Sequence, residues 1–187
     1  MRIYLAGPLF TLAEINFNAE LAAALSALGH EIWLPQIYEK EGSRDAATFA
    51  RDLRGIEQAD IVVANMDGAD PDSGTCWECG YAYGIGVPVV IFRTDRRSRN
   101  RSGMNSYNLM MTQSADARLY PPFAGIAELA QRIDAEMPQA AARCAERVSR
   151  AASAPNVRNR RRAARHRQAP KFAPPPAASR RPEGRQK

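Results

Sequence analysis

Four carboxylates stand within twelve residues of this chain, directly after a run of β-branched residues that is typical of a buried parallel strand. They are Asp67, Asp70, Asp72 and Glu78. The three aspartates suit a loop, and Gly74 permits a tight turn from that loop into a helix. The four side chains are therefore expected where a buried strand ends and a helix begins.

Glu78 is the carboxylate whose position most suggests chemistry. The pattern predicts a helix over Thr75–Ile85, which places Glu78 in its first turn. Unpaired backbone N–H groups and the helix dipole favour an ionised carboxylate there, and glycosyl transfer requires an ionised nucleophile. The same residues also fit a purely structural interpretation, in which Asp72 or Ser73 caps the helix and Glu78 complements its dipole.

Apolar runs and helical stripes alternate along the first 140 residues. The first helix is expected after Thr11, which has Glu14 three residues on, the spacing of a capping box. The alternation predicts an α/β fold, a doubly wound, Rossmann-like domain with a mostly parallel sheet of about five strands. Strands are expected at Ile3–Ala6, Glu31–Leu34, Asp60–Asn65 and Val87–Phe92, and the later helices at Ala46–Gln58, Thr75–Ile85 and Ile126–Met137.

Ligands of such sheets bind at the carboxyl ends of the strands. That rule places three segments around one crevice: Gly7–Phe10, Asn65–Thr75 and Arg93–Asn108. The third is polar up to Tyr107 and is predicted to be a long loop. It carries five arginines, at 93, 96, 97, 99 and 101, which either hold a phosphate or form a solvated charged surface.

Charge divides the chain into an acidic body and a basic tail. Residues 1–140 hold 12 Lys/Arg against 18 Asp/Glu, a net of −6, whereas residues 141–187 hold 14 against 2, a net of +12. We expect residues 1–140 to form one domain, and 141–187 to form a helix extension followed by a disordered tail rich in Arg, Ala and Pro. Runs such as Arg158-Asn-Arg-Arg-Arg162 predict either weak, non-specific binding to nucleic acid or a solvated appendage without a partner.

The three cysteines, Cys76, Cys79 and Cys144, argue against a disulfide scaffold. Cys76 and Cys79 form a C-x-x-C motif, but they bracket Glu78 on a predicted helix and no second pair is nearby. We interpret them as buried thiols rather than as a redox or zinc site. The chain opens directly on a strand and has no window near the roughly 20 apolar residues of a membrane span, so we expect a cytoplasmic protein without membrane association.

Five segments of the first 115 residues together resemble the nucleoside 2-deoxyribosyltransferase family. They occur in the family's order and spacing, so their combination is far more specific than any one of them. The resemblance implies a flavodoxin-like parallel α/β sheet, in agreement with the pattern above. The segments are Ile3-Tyr-Leu-Ala-Gly-Pro8, Asp52-Leu-Arg-Gly-Ile56, Ala59-Asp-Ile-Val-Val63, Pro71-Asp-Ser-Gly-Thr-Cys-Trp-Glu-Cys-Gly80 and Asn108-Leu-Met110.

The resemblance implies a catalytic role for three residues. Glu78 resembles the nucleophile that attacks the anomeric carbon and holds the glycosyl group covalently. Tyr4 resembles the tyrosine that orients this glutamate, and Asp52 resembles the aspartate that handles proton transfer beside the departing base. A covalent intermediate gives overall retention, and the chemistry requires no metal or other cofactor.

Substrate binding is implied for a second set of residues. Asp72 resembles the aspartate that binds the sugar's 5′-hydroxyl, and Gly7 and Gly74 belong to the turns of the same site. Asn108 resembles the asparagine that reaches this hydroxyl, in the family usually from a neighbouring subunit. The resemblance therefore implies a homo-oligomer with shared active sites.

Asp72 also bears on the choice of substrate. Related hydrolases of nucleoside 5′-monophosphates carry serine six residues before the catalytic glutamate, whereas a carboxylate there repels a phosphate and accepts a hydrogen bond from a free 5′-hydroxyl. We therefore expect an enzyme that takes a 2′-deoxynucleoside and transfers its deoxyribosyl group to another nucleobase. The alternative is an N-glycoside hydrolase acting on nucleosides or nucleoside 5′-monophosphates.

Overall fold

The computed structural model describes residues 1–38, 46–95 and 108–153. Over these residues five parallel strands form one sheet in the order β2-β1-β3-β4-β5. This is the strand order of flavodoxin-like doubly wound folds, so the predicted fold class is confirmed. The strands are β1 (Arg2–Ala6), β2 (Glu31–Trp33), β3 (Ile61–Asn65), β4 (Val89–Phe92) and β5 (Ala117–Leu119).

Helices connect the strands and cover both faces of the sheet. They are α1 (Leu12–Ala27), α2 (Pro35–Tyr38), α3 (Ala46–Gln58), α4 (Ser73–Ile85), α5 (Leu109–Ser114) and α6 (Ile126–Ser153). The sequence pattern did not assign α2, α5 or β5, because elements of three to six residues are too short to display a hydrophobic period. Residues 96–107 of the predicted long loop lie outside the described residues.

Alternation along the central strands divides the core between the two faces. On β1, Ile3 and Leu5 belong to the apolar cluster that packs against α1 and α6. Tyr4 and Ala6 point to the opposite face and pack in the cluster that includes Ile56 of α3 and α4 residues. Every side chain of β3 and β4 is buried, which explains their uninterrupted apolar sequences. Tyr4 is thus placed on the α3–α4 side of the sheet.

The capping box predicted at the start of α1 is confirmed. The Thr11 hydroxyl accepts from the backbone N–H of Glu14 at 3.2 Å, and the Glu14 carboxylate accepts from the backbone N–H of Thr11 at 2.8 Å. The same carboxylate accepts from the backbone N–H of Phe10 at 3.0 Å. These bonds fix the turn that leaves the carboxyl end of β1.

The last helix continues beyond Met137 into the region where a helix extension was expected. It contains Pro138 and continues to Ser153, and Ala140 and Cys144 on its inner face are buried. The compact unit spans Met1–Ala152, while the division of the chain at residue 140 and the disorder of the tail stay predictions, since residues 154–187 lie outside the described residues. Within the described ranges, no helix combines the length and the apolar character needed to cross a membrane.

Candidate active site

A cavity of about 390 Å³ opens at the carboxyl ends of β1 and β3, within the usual size range for small-molecule sites. It lies where neighbouring strands lead to helices on opposite faces of the sheet, which is the switch point of a doubly wound fold. Its walls come from the turn after β1, the start of α2, and helices α3 and α4. The lining residues are Gly7, Leu9, Phe10, Pro35, Thr48, Phe49, Asp52, Asp72, Gly74, Thr75 and Glu78.

Glu78 is held by a hydrogen bond from the sheet. The hydroxyl of Tyr4, a fully buried residue of β1, donates to Oε1 of Glu78 at 2.6 Å. Burial and the adjacent carboxylate raise the pKa of the Tyr4 phenol, so it stays a neutral donor. The bond fixes one carboxylate oxygen of Glu78 in the wall of the cavity.

The predicted electrostatic origin of an ionised Glu78 was wrong. Helix α4 begins at Ser73 rather than Thr75, so Glu78 is its sixth residue and lies beyond the first turn, where the helix dipole acts. Burial raises the pKa of Glu78 to about 7, the Tyr4 hydrogen bond opposes this effect, and the charges of Asp52 and Asp72 add to it. A carboxylate with this pKa can gain or lose a proton near neutral pH.

Asp72 is the N-cap of α4. Its Oδ2 accepts from the backbone N–H of Thr75 at 2.8 Å and from the Thr75 hydroxyl at 3.0 Å. The capping role that the sequence left open for Asp72 or Ser73 therefore belongs to Asp72. Since Asp72 also lines the cavity, one carboxylate both begins the helix and faces the cavity.

Asp52 reaches the cavity from α3. Its side chain is 23% exposed, and Oδ1 lies 4.0 Å from Nε of Arg51. Its charge raises the pKa of Glu78, and also that of the Tyr4 phenol. The second acidic group predicted for the site thus lies close enough to Glu78 to interact with it electrostatically.

Gly7 follows β1 in a confined position. A Cβ at this residue would lie 3.2 Å from Cβ of Asn65 and 3.3 Å from Oδ1 of Asn18. The buried Asn18 amide donates to Pro8 O at 2.9 Å and to Oε1 of Gln36 at 3.2 Å, which ties the turn after β1 to α1 and α2. Glycine therefore lets this turn pass close to the end of β3.

Several cavity-lining residues carried no signal in the sequence. Thr48 and Phe49 lie one turn before Asp52 on α3. Phe10, which is 60% exposed, belongs instead to the segment Gly7–Phe10 that was expected at the crevice. A second cavity of about 350 Å³ adjoins the first, shares Phe49 and Glu78 with it, and is also lined by Trp77. Local periodicity cannot reveal such residues, because tertiary packing alone brings them to the cavity.

Asn108 does not lie among the residues that line the cavity in its own chain. It is the N-cap of α5, and its Oδ1 accepts from the backbone N–H of Met110 at 2.9 Å. The structure thus brings Glu78, Tyr4, Asp52, Asp72, Gly7 and Gly74 together and leaves Asn108 apart from them.

The C-x-x-C cysteines are free thiols on α4. Cys79 is buried and Cys76 is partly buried, and burial raises the pKa of both thiols, which disfavours a reactive thiolate. Over the ranges that the structure describes, no three His, Cys, Asp or Glu residues cluster in a way that could hold a metal ion.

We expect Glu78→Gln to stabilise the fold at alkaline pH. Because the pKa of Glu78 rises from 4.5 to about 7 in the folded chain, stability is lost as pH rises through this window. Above pH 7 the buried carboxylate lowers the free energy of unfolding by roughly 3 kcal/mol, and below both pKa values this loss vanishes. Denaturant unfolding near pH 8 and near pH 4 should show a stabilisation confined to the higher pH.

The matched control is Glu57→Gln, since Glu57 is an exposed carboxylate that accepts from the Tyr81 hydroxyl at 2.6 Å. The control should show no comparable stabilisation. A Glu78→Gln effect of equal size at both pH values would contradict the burial argument.

Comparison with known proteins identifies the family of the chain. The sequence profile of the nucleoside 2-deoxyribosyltransferase family matches residues 3–116, more than half of the chain. A solved 2-deoxyribosyltransferase from the psychrotolerant bacterium Bacillus psychrosaccharolyticus is 31% identical, with a TM-score of 0.55, over 70% of this chain and 90% of that one.

Two further proteins are similar over most of their length. The crystal structure of a conserved protein from Enterococcus faecalis V583 matches with a TM-score of 0.60 and 26% identity, over 73% of this chain and 98% of that one. The uncharacterized protein UU063 of Ureaplasma parvum serovar 3 is 30% identical, over 52% of this chain and 72% of that protein. With its profile match, its neighbours in sequence and structure, and its flavodoxin-like sheet, the chain belongs to the nucleoside 2-deoxyribosyltransferase family.

Proposed function

We propose that this protein is a nucleoside 2-deoxyribosyltransferase, which cleaves the N-glycosidic bond of a 2′-deoxynucleoside and transfers the deoxyribosyl group to another nucleobase. The observation that carries the proposal is the 2.6 Å hydrogen bond from Tyr4 to Glu78. It presents an oriented carboxylate to a cavity that also contains Asp52 and Asp72. Membership of the family and the similarity to a solved 2-deoxyribosyltransferase support it.

In the proposed first step, a carboxylate oxygen of Glu78 attacks the anomeric carbon. The bond from this carbon to the base nitrogen breaks, its electron pair stays on the base, and Asp52 in its carboxylic acid form delivers a proton to the departing base. Positive charge develops on the sugar in the transition state, and the nearby carboxylates stabilise it. Tyr4 holds the Glu78 carboxylate in orientation while the second carboxylate oxygen is used.

In the second step, a nitrogen of the incoming base attacks the same carbon. The bond to Glu78 breaks, its electron pair returns to the carboxylate, and the nitrogen's proton passes to Asp52. Two inversions give overall retention. Water in place of the second base would give hydrolysis, which is the alternative outcome at the same intermediate.

Asp72 supports a nucleoside rather than a 5′-monophosphate as the substrate. Both hydrogen bonds that it accepts from Thr75 go to Oδ2, and we assign Oδ1 to the 5′-hydroxyl. Arg93, the described member of the arginine set, is 1% exposed and donates to the carbonyl of Gly68 instead of facing the cavity. Arginines 96, 97, 99 and 101 lie outside the described residues.

We further propose a homo-oligomer in which Asn108 comes from a neighbouring subunit. In its own chain Asn108 caps α5 and is absent from the cavity walls. Leu109 and Met110 beside it are 68% and 76% exposed, and Trp77 near the cavity is 51% exposed. A second copy that covered these apolar side chains would bring its own Asn108 amide toward the sugar.

Incubation with thymidine and adenine tests the proposed activity. We expect deoxyadenosine and thymine as products, and no free base from CMP or dCMP. Glu78→Gln should lower the rate by roughly 10³-fold or more while it leaves the fold intact. Base release from the monophosphates alone would overturn the choice of substrate, and release from thymidine without transfer would support the hydrolase.

We expect Tyr4→Phe to move the pH profile of kcat/KM to higher pH. In the wild type, kcat/KM should rise as Glu78 ionises, around its pKa of about 7. The Tyr4 hydrogen bond lowers this pKa, so its loss should displace the acidic limb upward by roughly one to two pH units. Tyr81→Phe is the matched control, because it removes a tyrosine bond of the same 2.6 Å length to Glu57; an equal displacement in both variants would contradict the role of Tyr4.

Mixing two impaired variants tests the shared site. Glu78→Gln and Asn108→Ala should each be strongly impaired alone. Exchange of subunits in an equal mixture should make about one quarter of all sites intact, because a site pairs Glu78 of one subunit with Asn108 of another. No recovery after proven subunit exchange, or full activity of Asn108→Ala alone, would argue against a shared site.

Two predictions from the sequence concern the basic tail and the cellular location of the protein. The tail is predicted to bind nucleic acid weakly. Apart from the end of α6, its residues lie outside the described ranges. A cytoplasmic location likewise stays a prediction from the sequence.

A further inference from the structure

The loop of residues 66–72, between β3 and α4, is tied to the end of the neighbouring strand β4 by one carboxylate. Oδ1 of Asp67 accepts from the backbone N–H groups of Thr94 and Asp95, each at 2.7 Å. Oδ2 of Asp67 accepts from the Thr94 hydroxyl at 2.5 Å. Three donors from two successive residues thus converge on one half-buried side chain. Such charge-assisted bonds are the stronger kind of protein hydrogen bond.

The next residue of the loop is also held from β4. The guanidinium of Arg93, 1% exposed, donates from Nη2 to the carbonyl of Gly68. Gly68 has φ of +109°, and a Cβ there would lie 2.9 Å from the carbonyl oxygen of Asp70. The backbone therefore turns sharply at this point, and both residues that begin the turn are bonded to the segment that follows β4.

This turn leads directly to Asp72. Between the tied residues and the N-cap of α4 lie only Ala69, Asp70 and Pro71. The described residues that line the main cavity come from the turn after β1 and from α2, α3 and α4 with its N-cap, and none comes from β4. Asp67 thus joins the loop that leads to Asp72 to a segment, the residues after β4, that does not line the cavity.

We propose that Asp67 is a positioning residue, which sets the place of Asp72 and thereby the recognition of the sugar's 5′-hydroxyl. This rests on the proposed function. The carboxylate is better suited to this role than an amide, because two acceptor oxygens serve three donors whereas Asn has only one acceptor oxygen. Loss of the Asp67 carboxylate frees the loop. We expect this to displace Asp72 from the 5′ position while the hydrogen bond between Tyr4 and Glu78 is largely kept.

The test compares two alanine variants on two substrates. Asp67→Ala removes the tie, and Asp70→Ala removes the same charge from an exposed position on the same loop. Values of kcat/KM are measured for thymidine and for its 5′-deoxy analogue, and their ratio reports recognition of the 5′-hydroxyl. We expect Asp67→Ala to lower this ratio about tenfold, mainly through the KM for thymidine. Asp70→Ala should leave the ratio unchanged.

A merely structural role for Asp67 would lower activity on both substrates equally, and an unchanged ratio in folded Asp67→Ala overturns the inference. Thr94→Val provides a second test if Asp67→Ala does not fold, because it removes only the hydroxyl donor and keeps the backbone bonds. We expect it to lower the ratio about two- to threefold; an unchanged ratio there also counts against Asp67. If the proposed function is wrong, the wild type should cleave neither thymidine nor its 5′-deoxy analogue. This outcome would overturn the inference as well, and it differs from an unchanged ratio in an active variant.

Discussion

The hydroxyl of Tyr4 and the carboxylate of Glu78 meet at 2.6 Å across 74 residues of sequence, and the arrangement of the site depends on this bond. Tyr4 lies on a central strand, with no exposed surface, so its hydroxyl must find a partner within the protein. Glu78 loses most of its hydration on α4, so its carboxylate needs a donor. Each group satisfies the other, and the bond joins the sheet to the helix that covers it.

Two opposing effects set the chemistry of Glu78. Burial, with the charges of Asp52 and Asp72, raises its pKa, and the Tyr4 hydrogen bond lowers it, with a net value of about 7. At neutral pH the ionised form of Glu78, which the proposed mechanism requires, is then accessible. A weakly hydrated carboxylate is also a better base than an exposed one. Under the proposed function, Glu78 therefore combines an accessible ionised form with the weak hydration that favours bond formation.

Local signals in the sequence were sufficient for the central strands, for the capping box at Thr11 and for the fold class. They were insufficient for the electrostatics of Glu78, because a shift of two residues in the start of α4 removes the glutamate from the first turn. The cause of its raised pKa is burial, which depends on contacts between β1, α3 and α4. Phe49 reaches the cavity for the same reason, through packing that leaves no trace in local spacing.

Under the proposed function, Asp72 has two tasks, since it caps α4 and recognises the 5′ group of the substrate. Its Oδ2 caps α4 through Thr75, and a serine can cap a helix about as well as an aspartate. Capping therefore does not decide between the two residues at this position. Under the proposed function, the charge of the side chain at this position can match the 5′ group of the substrate, hydroxyl or phosphate, while α4 begins at the same residue in either case.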